Sequence, residues 1–471
     1  MTGRSPWRGF AVISAAIFTV SLDLFIVNIA FPALRADFGE ASVSGLSWVL
    51  SAYAIVYAAL LVPFGKLGDL AGRLRVFRAG LSLFVLGSAL CAVAPTAALL
   101  VAARVVQAIG AAAITPTSLG LVLPTFPPER RATVIGAWAA LGGLGAAMGP
   151  PLGGLLVELS WHWIFVINVP VGLLCLALVG RHFSEVRNPS GLLPDGLGAL
   201  LATGAVGLLA LGLAQGPEWS WDVRVIGSLA GAVVLGAALV VRSRRHAAPV
   251  LALDLLGSPH FAVASLATLV FFAGFGGLLL SNVLFLTEVW GYSSLQAGLA
   301  FAPGPMLAAI SAALTGRLAN RVGPATLAAP GGLLFALGTV VYLGLGPEPD
   351  WLRSYLPGTV MTGIGVGLCL PSLTSSALLA VPGPSLATAV ATTTAFRQIG
   401  AALGVATWVA VHGTPAPGDV LAAFDRGFAV IGACGLVAGT TMLILSLRMR
   451  AGGYAARAAG SRAASSGAPA N

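Results

Sequence analysis

GKLGDLAGRL, Gly65 to Leu74, and GRLANRVGPA, Gly316 to Ala325, are two versions of one phrase. Gly65, Leu67 and Gly72 of the first align with Gly316, Leu318 and Gly323 of the second. Each follows an apolar run of about 20 residues, enough to cross roughly 30 Å of hydrocarbon as a helix. Such runs recur along the whole chain, at 9–32, 45–65, 77–95, 97–119, 132–156, 161–180, 195–215, 223–242, 259–286, 295–316, 324–345, 355–376, 386–411 and 425–447. The phrase therefore follows runs 2 and 10, so the repeat is offset by eight runs and not six. The spacing predicts an all-α membrane protein of 14 transmembrane helices, built as two six-helix bundles (9–180 and 259–447) around a two-helix insert (181–258). Residues 1–8 and 448–471 are left as cytoplasmic ends, and the Ala/Gly/Ser-rich tail reads as disordered.

Composition requires a membrane setting. Hydrophobic residues make up 57% of the chain and charged residues 9%, far too few to cover a soluble surface. The net charge of +9 does not signal a nucleic-acid partner, because the basic residues are spread over short loops. With the N-terminus inside, inner loops and tails hold 19 basic residues and outer loops only Arg35, Arg224, Arg353 and Arg426. That asymmetry is the positive-inside signature, and it predicts both termini in the cytoplasm. Trp161, Trp219, Trp221, Trp290 and Trp351 fall at outer ends, where indole rings favour the interface. The arginine bias, 24 of 25 basic residues, reads as a high-GC bacterial genome and so as a bacterial inner (plasma) membrane. Arg4 and Arg8 ahead of the first run mimic a signal peptide, but no convincing cleavage site follows and a retained first helix is expected.

The same inventory bears on catalysis. No G-x-x-x-x-G-K-[ST], G-x-S-x-G or H-E-x-x-H occurs, so neither an ATP motor nor an enzyme is expected. Cys91, Cys175, Cys369 and Cys434 lie singly inside apolar runs and the five histidines are scattered, so no metal or organic cofactor is expected.

A few residues break the apolar pattern. Asp23 stands inside the first run, where ionisation is costly, and a protonatable carboxyl there can load on one side and discharge on the other. Arg104 lies inside the fourth run and needs a carboxylate, a carbonyl or water beside it; Asp23 is a candidate partner. Arg397, followed by Gln398, is the equivalent oddity in the thirteenth run. Asn28 and Gln107 are further candidate cavity groups, and Glu288 a candidate second protonation or cation-selecting site. In GAAMGPPLGG, Gly145, Gly149, Pro150, Gly153 and Gly154 combine small-residue spacing with a proline, a recipe for a tight, bent helix contact. In the repeated phrase, Gly65, Gly68 and Gly72 permit a tight reversal, and Asp69 can cap a helix or pair with Arg73. Asn320 takes the place of an acid in the second copy, which predicts a weaker contact there.

Together these stretches resemble the major facilitator superfamily, specifically its fourteen-helix drug:proton antiporter branch (EmrB/QacA-type multidrug efflux). LDLFIVNIAFPAL from Leu22, ARVVQAIGAA from Ala103, GAAMGPPLGG from Gly145, WHWIFVINVPVG from Trp161 and FRQIGAALGVA from Phe396 carry the likeness in matching order over residues 9–447. The resemblance implies a cytoplasmic gate latch at Asp69 and Arg73, proton coupling at Asp23 and Arg104, and an exporter's antiporter motif at Gly145–Gly154. Three departures stand out: Leu24 where a hydroxyl residue is usual, Ala108 for glycine, and His162 for arginine between Trp161 and Trp163.

The expected protein is a monomeric secondary transporter that exports lipophilic drugs or antibiotics in exchange for protons by alternating access. Its partners are such a substrate, protons and membrane lipid. The alternative is a proton-coupled transporter of one metabolite, such as an amino acid, sugar or siderophore.

Overall fold

In a computed structural model, residues 6–39, 42–187, 193–379, 381 and 386–465 are described. Helices account for nearly all of them: α1 (Pro6–Asp37), α2 (Val43–Ala71), α3 (Arg73–Ala92), α4 (Ala97–Val122) and α5 (Pro128–Leu159) come first. α6 is formed by Trp163–Val166 and Asn168–His182, followed by α7 (Gly196–Gln215), α8 (Val223–Ser243) and α9 (Pro259–Leu284). α10 is formed by Ser294–Phe301 and Pro303–Val322, followed by α11 (Pro324–Tyr342), α12 (Leu356–Leu378), α13 (Leu386–His412) and α14 (Val420–Ser465). Among the described residues 13 helices are long and apolar enough to cross a membrane; α5, 32 residues long, stands outside that set. Several helices begin where a Ser, Thr or Asp side chain accepts from a first-turn N–H: Ser42, Thr96, Asp195, Asp222 and Ser293.

The helices outlast the apolar runs, because their backbone groups are satisfied internally and the helix can project beyond the hydrocarbon. The repeated phrase is therefore not a loop, as its glycines suggested. Residues 65–71 continue α2, and only Gly72 breaks it, at φ 113°. Gly323 does the same in the second copy, at φ 87°. Gly68 serves contact instead: a methyl group there would lie 2.7 Å from Thr117 Cγ2 on α4. The side chain of Asn320 lies outside the described residues. The tail also differs from expectation, since α14 runs on to Ser465 where composition suggested disorder. Alanine has the highest helix propensity, and a helix already nucleated in the membrane extends at little cost.

α1 to α6 pack on one another, as do α9 to α14. α5 lies against α10 on one side of the molecule and α2 against α13 on the other, where α7 touches both. α7 and α8 form a pair of their own, pinned by the buried Asp195, which caps α7 and accepts from Arg242 of α8 at 2.7 Å. One apolar core extends through both sets and takes Leu22 to Leu34 from α1. A second core takes Val12 to Val20 from α1 and draws only on α1 to α6 and their connections. The two sets are thus welded toward the Asp37 end of α1. Arg35 of α1 pairs there with Glu288, which a π-helical turn after α9 (Phe285–Val289) presents. Glu158 of α5 accepts from the Leu295 N–H of α10 at 3.2 Å. At the opposite end, the Asp69–Arg73 and Arg75–Glu185 pairs each stay within the first set.

Candidate functional site

Asp23 sits just past the middle of α1, at the level where the two cores meet, and is fully buried. Beside it lies Arg104 of α4, 1% exposed, whose Nη1 donates to Asp23 Oδ2 at 2.5 Å. Arg104 has other acceptors: Nη1 also reaches Gln107 Oε1 at 2.6 Å and Nε reaches the Val49 carbonyl of α2 at 3.1 Å. Its guanidinium lies 4.1 Å from the centre of the Tyr53 ring. The other carboxylate oxygen, Oδ1, accepts from Gln107 Nε2 at 2.9 Å and from Asn168 Nδ2 of α6 at 3.0 Å. Ser88 of α3 receives both amides, at 2.8 and 3.4 Å. Side chains from α1, α2, α3, α4 and α6 thus converge on one carboxyl group inside the membrane-spanning region. Apart from the carboxylate, Arg104 is held by a side-chain amide, a backbone carbonyl and an aromatic face.

Asp23, Arg104 and Gln107 stand out in the sequence, and the structure brings all three together. Ser88 and Tyr53 do not stand out there, and Asn168 is not marked as part of the site. Asn168 was readable only as an amide inside the WHWIFVINVPVG stretch, while Ser88 and Tyr53 look like ordinary small and aromatic membrane residues. Asn28 does not join the cluster: its amide donates to the Leu24 carbonyl of its own helix at 3.2 Å.

The glycines of α5 hold the carboxyl from behind. Methyl groups added at Gly145, Gly149 and Gly153 would lie 2.7 Å from Ser21 Cβ, 2.7 Å from Phe25 Cβ and 2.8 Å from Ile26 Cγ1. Spaced by four residues, they form one bare face against the turns of α1 that carry Asp23. Gly154 looks the other way, toward α10, where a methyl group would meet Ser294 O at 2.7 Å, and a methyl group at Gly298 would in turn meet Pro150 O at 2.4 Å. The motif thus lets α5 touch both helix sets.

At the Gly72 turn, Arg73 binds Asp69 by two nitrogens, at 2.8 and 2.9 Å, and donates to the Gly120 carbonyl of α4 at 2.8 Å. Glu185, after α6, accepts from the Leu74 and Arg75 N–H groups at 2.9 and 3.2 Å. Asp69 therefore pairs rather than caps. His162 is held by Ser160 at 2.6 Å and stacks on Trp161. Arg397 and Gln398 lie on α13 outside the Asp23 hydrogen-bond network, and Arg397 rests 5.6 Å from the centre of the Phe272 ring.

Many apolar helices around a buried, charge-bearing network define a multi-pass membrane protein of transporter type. The chain belongs to the Major Facilitator Superfamily, whose profile matches residues 13–405. It is 37% identical over 396 residues to "Multidrug resistance protein Stp" of Mycobacterium tuberculosis, covering 83% of this chain and 73% of that one. It is 31% identical over 418 residues to "Tetracenomycin C resistance and export protein" of Streptomyces glaucescens, covering 86% and 76%. Among solved structures, a bacterial homologue of the human lysosomal transporter Spinster superposes with a TM-score of 0.69 at 18% identity, over 95% of this chain and 98% of that one. That likeness supports the fold.

Proposed function

We propose that this chain exports lipophilic small molecules from a bacterial cell in exchange for protons, with Asp23 as the proton-carrying group. The observation that carries this reading is the Asp23–Arg104 network: a carboxyl shut away from solvent whose cation also has other acceptors. Resistance and export proteins among the relatives support the substrate class and the outward direction. We count α5 as a further span beside the 13 helices, because its bare face lies along α1 and its other side against α10. The fold is then two six-helix bundles, α1–α6 and α9–α14, with α7 and α8 inserted between them. On the strength of the arginine-rich ends and loops, we read both termini as cytoplasmic, in an inner membrane. With that orientation, the joined Asp37 end is the outer face, and the state is closed outside.

In the proposed cycle Asp23 releases its proton to the cytoplasm while substrate enters between the bundles. The bundles rock, substrate leaves outside, and a proton returns to Asp23. Each proton contributes about 2.3 kcal/mol per 100 mV and about 1.4 kcal/mol per pH unit.

The test is a lipophilic dye in inverted membrane vesicles energised by an inward-acid gradient. Dye uptake that collapses with a protonophore, together with proton efflux on dye addition, is expected. Uptake indifferent to the gradient contradicts the reading.

A further inference from the structure

The two membrane arginines differ in how their charge is met. Arg104 is enclosed by Asp23, Gln107, a carbonyl and a tyrosine ring. Arg397 is half-buried, and among the described residues no carboxylate pairs with it. An aromatic ring lies against it instead. Its guanidinium lies over Phe272 of α9, which meets Phe275 edge-on at 5.8 Å, and Phe275 in turn meets Phe25 of α1 at 6.3 Å. On α2, against which α13 packs, Tyr57 stacks on Tyr53 at 6.0 Å, the ring beneath Arg104. Arg397 thus stands at the seam between the two helix sets, partly open, with rings leading toward α1.

A permanent cation in such a place calls for an anion, and among the described residues none pairs with it. The Phe272, Phe275 and Phe25 rings suit a ring system, and a planar guanidinium suits a carboxylate or an ionised phenol. We infer that Arg397 is the substrate-selecting residue of the transport path, and that it takes compounds bearing an acidic group on an aromatic, ring-based body. This deepens the export reading and rests on it for the direction of movement, but the binding preference is independent of any proton gradient. An acidic substrate also leaves Asp23 free for protons, since the drug does not compete for its carboxylate.

The experiment measures binding to the full chain in phosphatidylcholine nanodiscs near neutral pH. The probes are 9-anthracenecarboxylate, its uncharged methyl ester, and the lipophilic cation ethidium. The wild type is expected to bind the acid roughly tenfold or more tighter than the ester, as a charge-assisted bidentate contact allows, and to disfavour ethidium. Arg397→Gln should bring the acid-to-ester ratio close to one, whereas Arg397→Lys should keep part of it. An unchanged ratio in Arg397→Gln, no acid preference in the wild type, or a preference for ethidium overturns the inference; the wild-type arms hold even where a variant does not fold. Gradient-driven pumping of the ester into inverted vesicles is scored separately. Pumping without acid preference removes only the role of Arg397; acid preference without pumping removes only the export reading.

Discussion

Asp23 and Arg104 are bound by more than their mutual charge, and each neighbour has a predictable share. Removing Arg104 strands a buried carboxylate, a loss of order 3–5 kcal/mol for the ionised form. Arg104→Ala should therefore lower the thermal unfolding midpoint and abolish transport. Arg104→Lys keeps the charge but offers a single ammonium where Asp23, Gln107 and the Val49 carbonyl are now served by a planar fork. Its transport should fall at least tenfold while expression persists, as measured by initial rates in vesicles. Asn168 donates to Asp23 Oδ1, yet its own Oδ1 has no partner among the described residues. Asn168→Leu should shift the pH at which transport is half-maximal, whereas a purely structural loss would lower the rate at every pH equally. The charged members of this site were legible because charge in an apolar run demands an account. Ser88, Tyr53 and Asn168 were not, because only folding brings α2, α3 and α6 to the same point. Glu288 reads from sequence as a candidate second protonation or cation-selecting site, and its pairing with Arg35 on another helix is visible only in the fold.

Helix contacts explain the glycines of α5. Gly149→Ala would place a methyl group 2.7 Å from Phe25 Cβ, and α5 would have to leave α1 or twist, at a cost of about 1–3 kcal/mol. Gly142, on the same helix, has no neighbour within 4 Å of an added methyl group. Gly142→Ala should transport normally and match or slightly exceed wild-type stability, whereas Gly149→Ala should lose both; paired melting curves and uptake rates check this. The positions of the helices were readable from the apolar runs, since hydrocarbon thickness fixes their length. Their ends were less so: α2 carries its helix through Lys66 and Asp69 to Gly72, and α14 carries on through alanines that composition alone reads as disordered. Polarity marks where lipid stops, whereas a helix stops where the backbone does, as at the positive φ of Gly72 and Gly323.

For the whole molecule the question is which face is open. The Arg35–Glu288 pair ties α1 to the end of α9 on the joined face, with both side chains partly exposed. Exposed pairs contribute about 0–1 kcal/mol, so Glu288→Gln should shift the balance toward the alternative state by no more than several-fold. High salt should mimic the substitution. Spin-label distances across the Asp37 end of α1, lengthened in the variant, would register that shift; unchanged distances would make the pair incidental to gating.

The central claim is that the Asp23 proton couples the movement of the bundles to that of substrate. Asn is close to the shape of a protonated Asp23 but cannot gain or lose the charge, so Asp23→Asn separates movement from coupling. The decisive measurement is transport by Asp23→Asn in inverted vesicles, with and without a proton gradient. The account predicts that gradient-driven accumulation vanishes while exchange of labelled for unlabelled substrate continues. Accumulation that persists and still follows the pH gradient would contradict it.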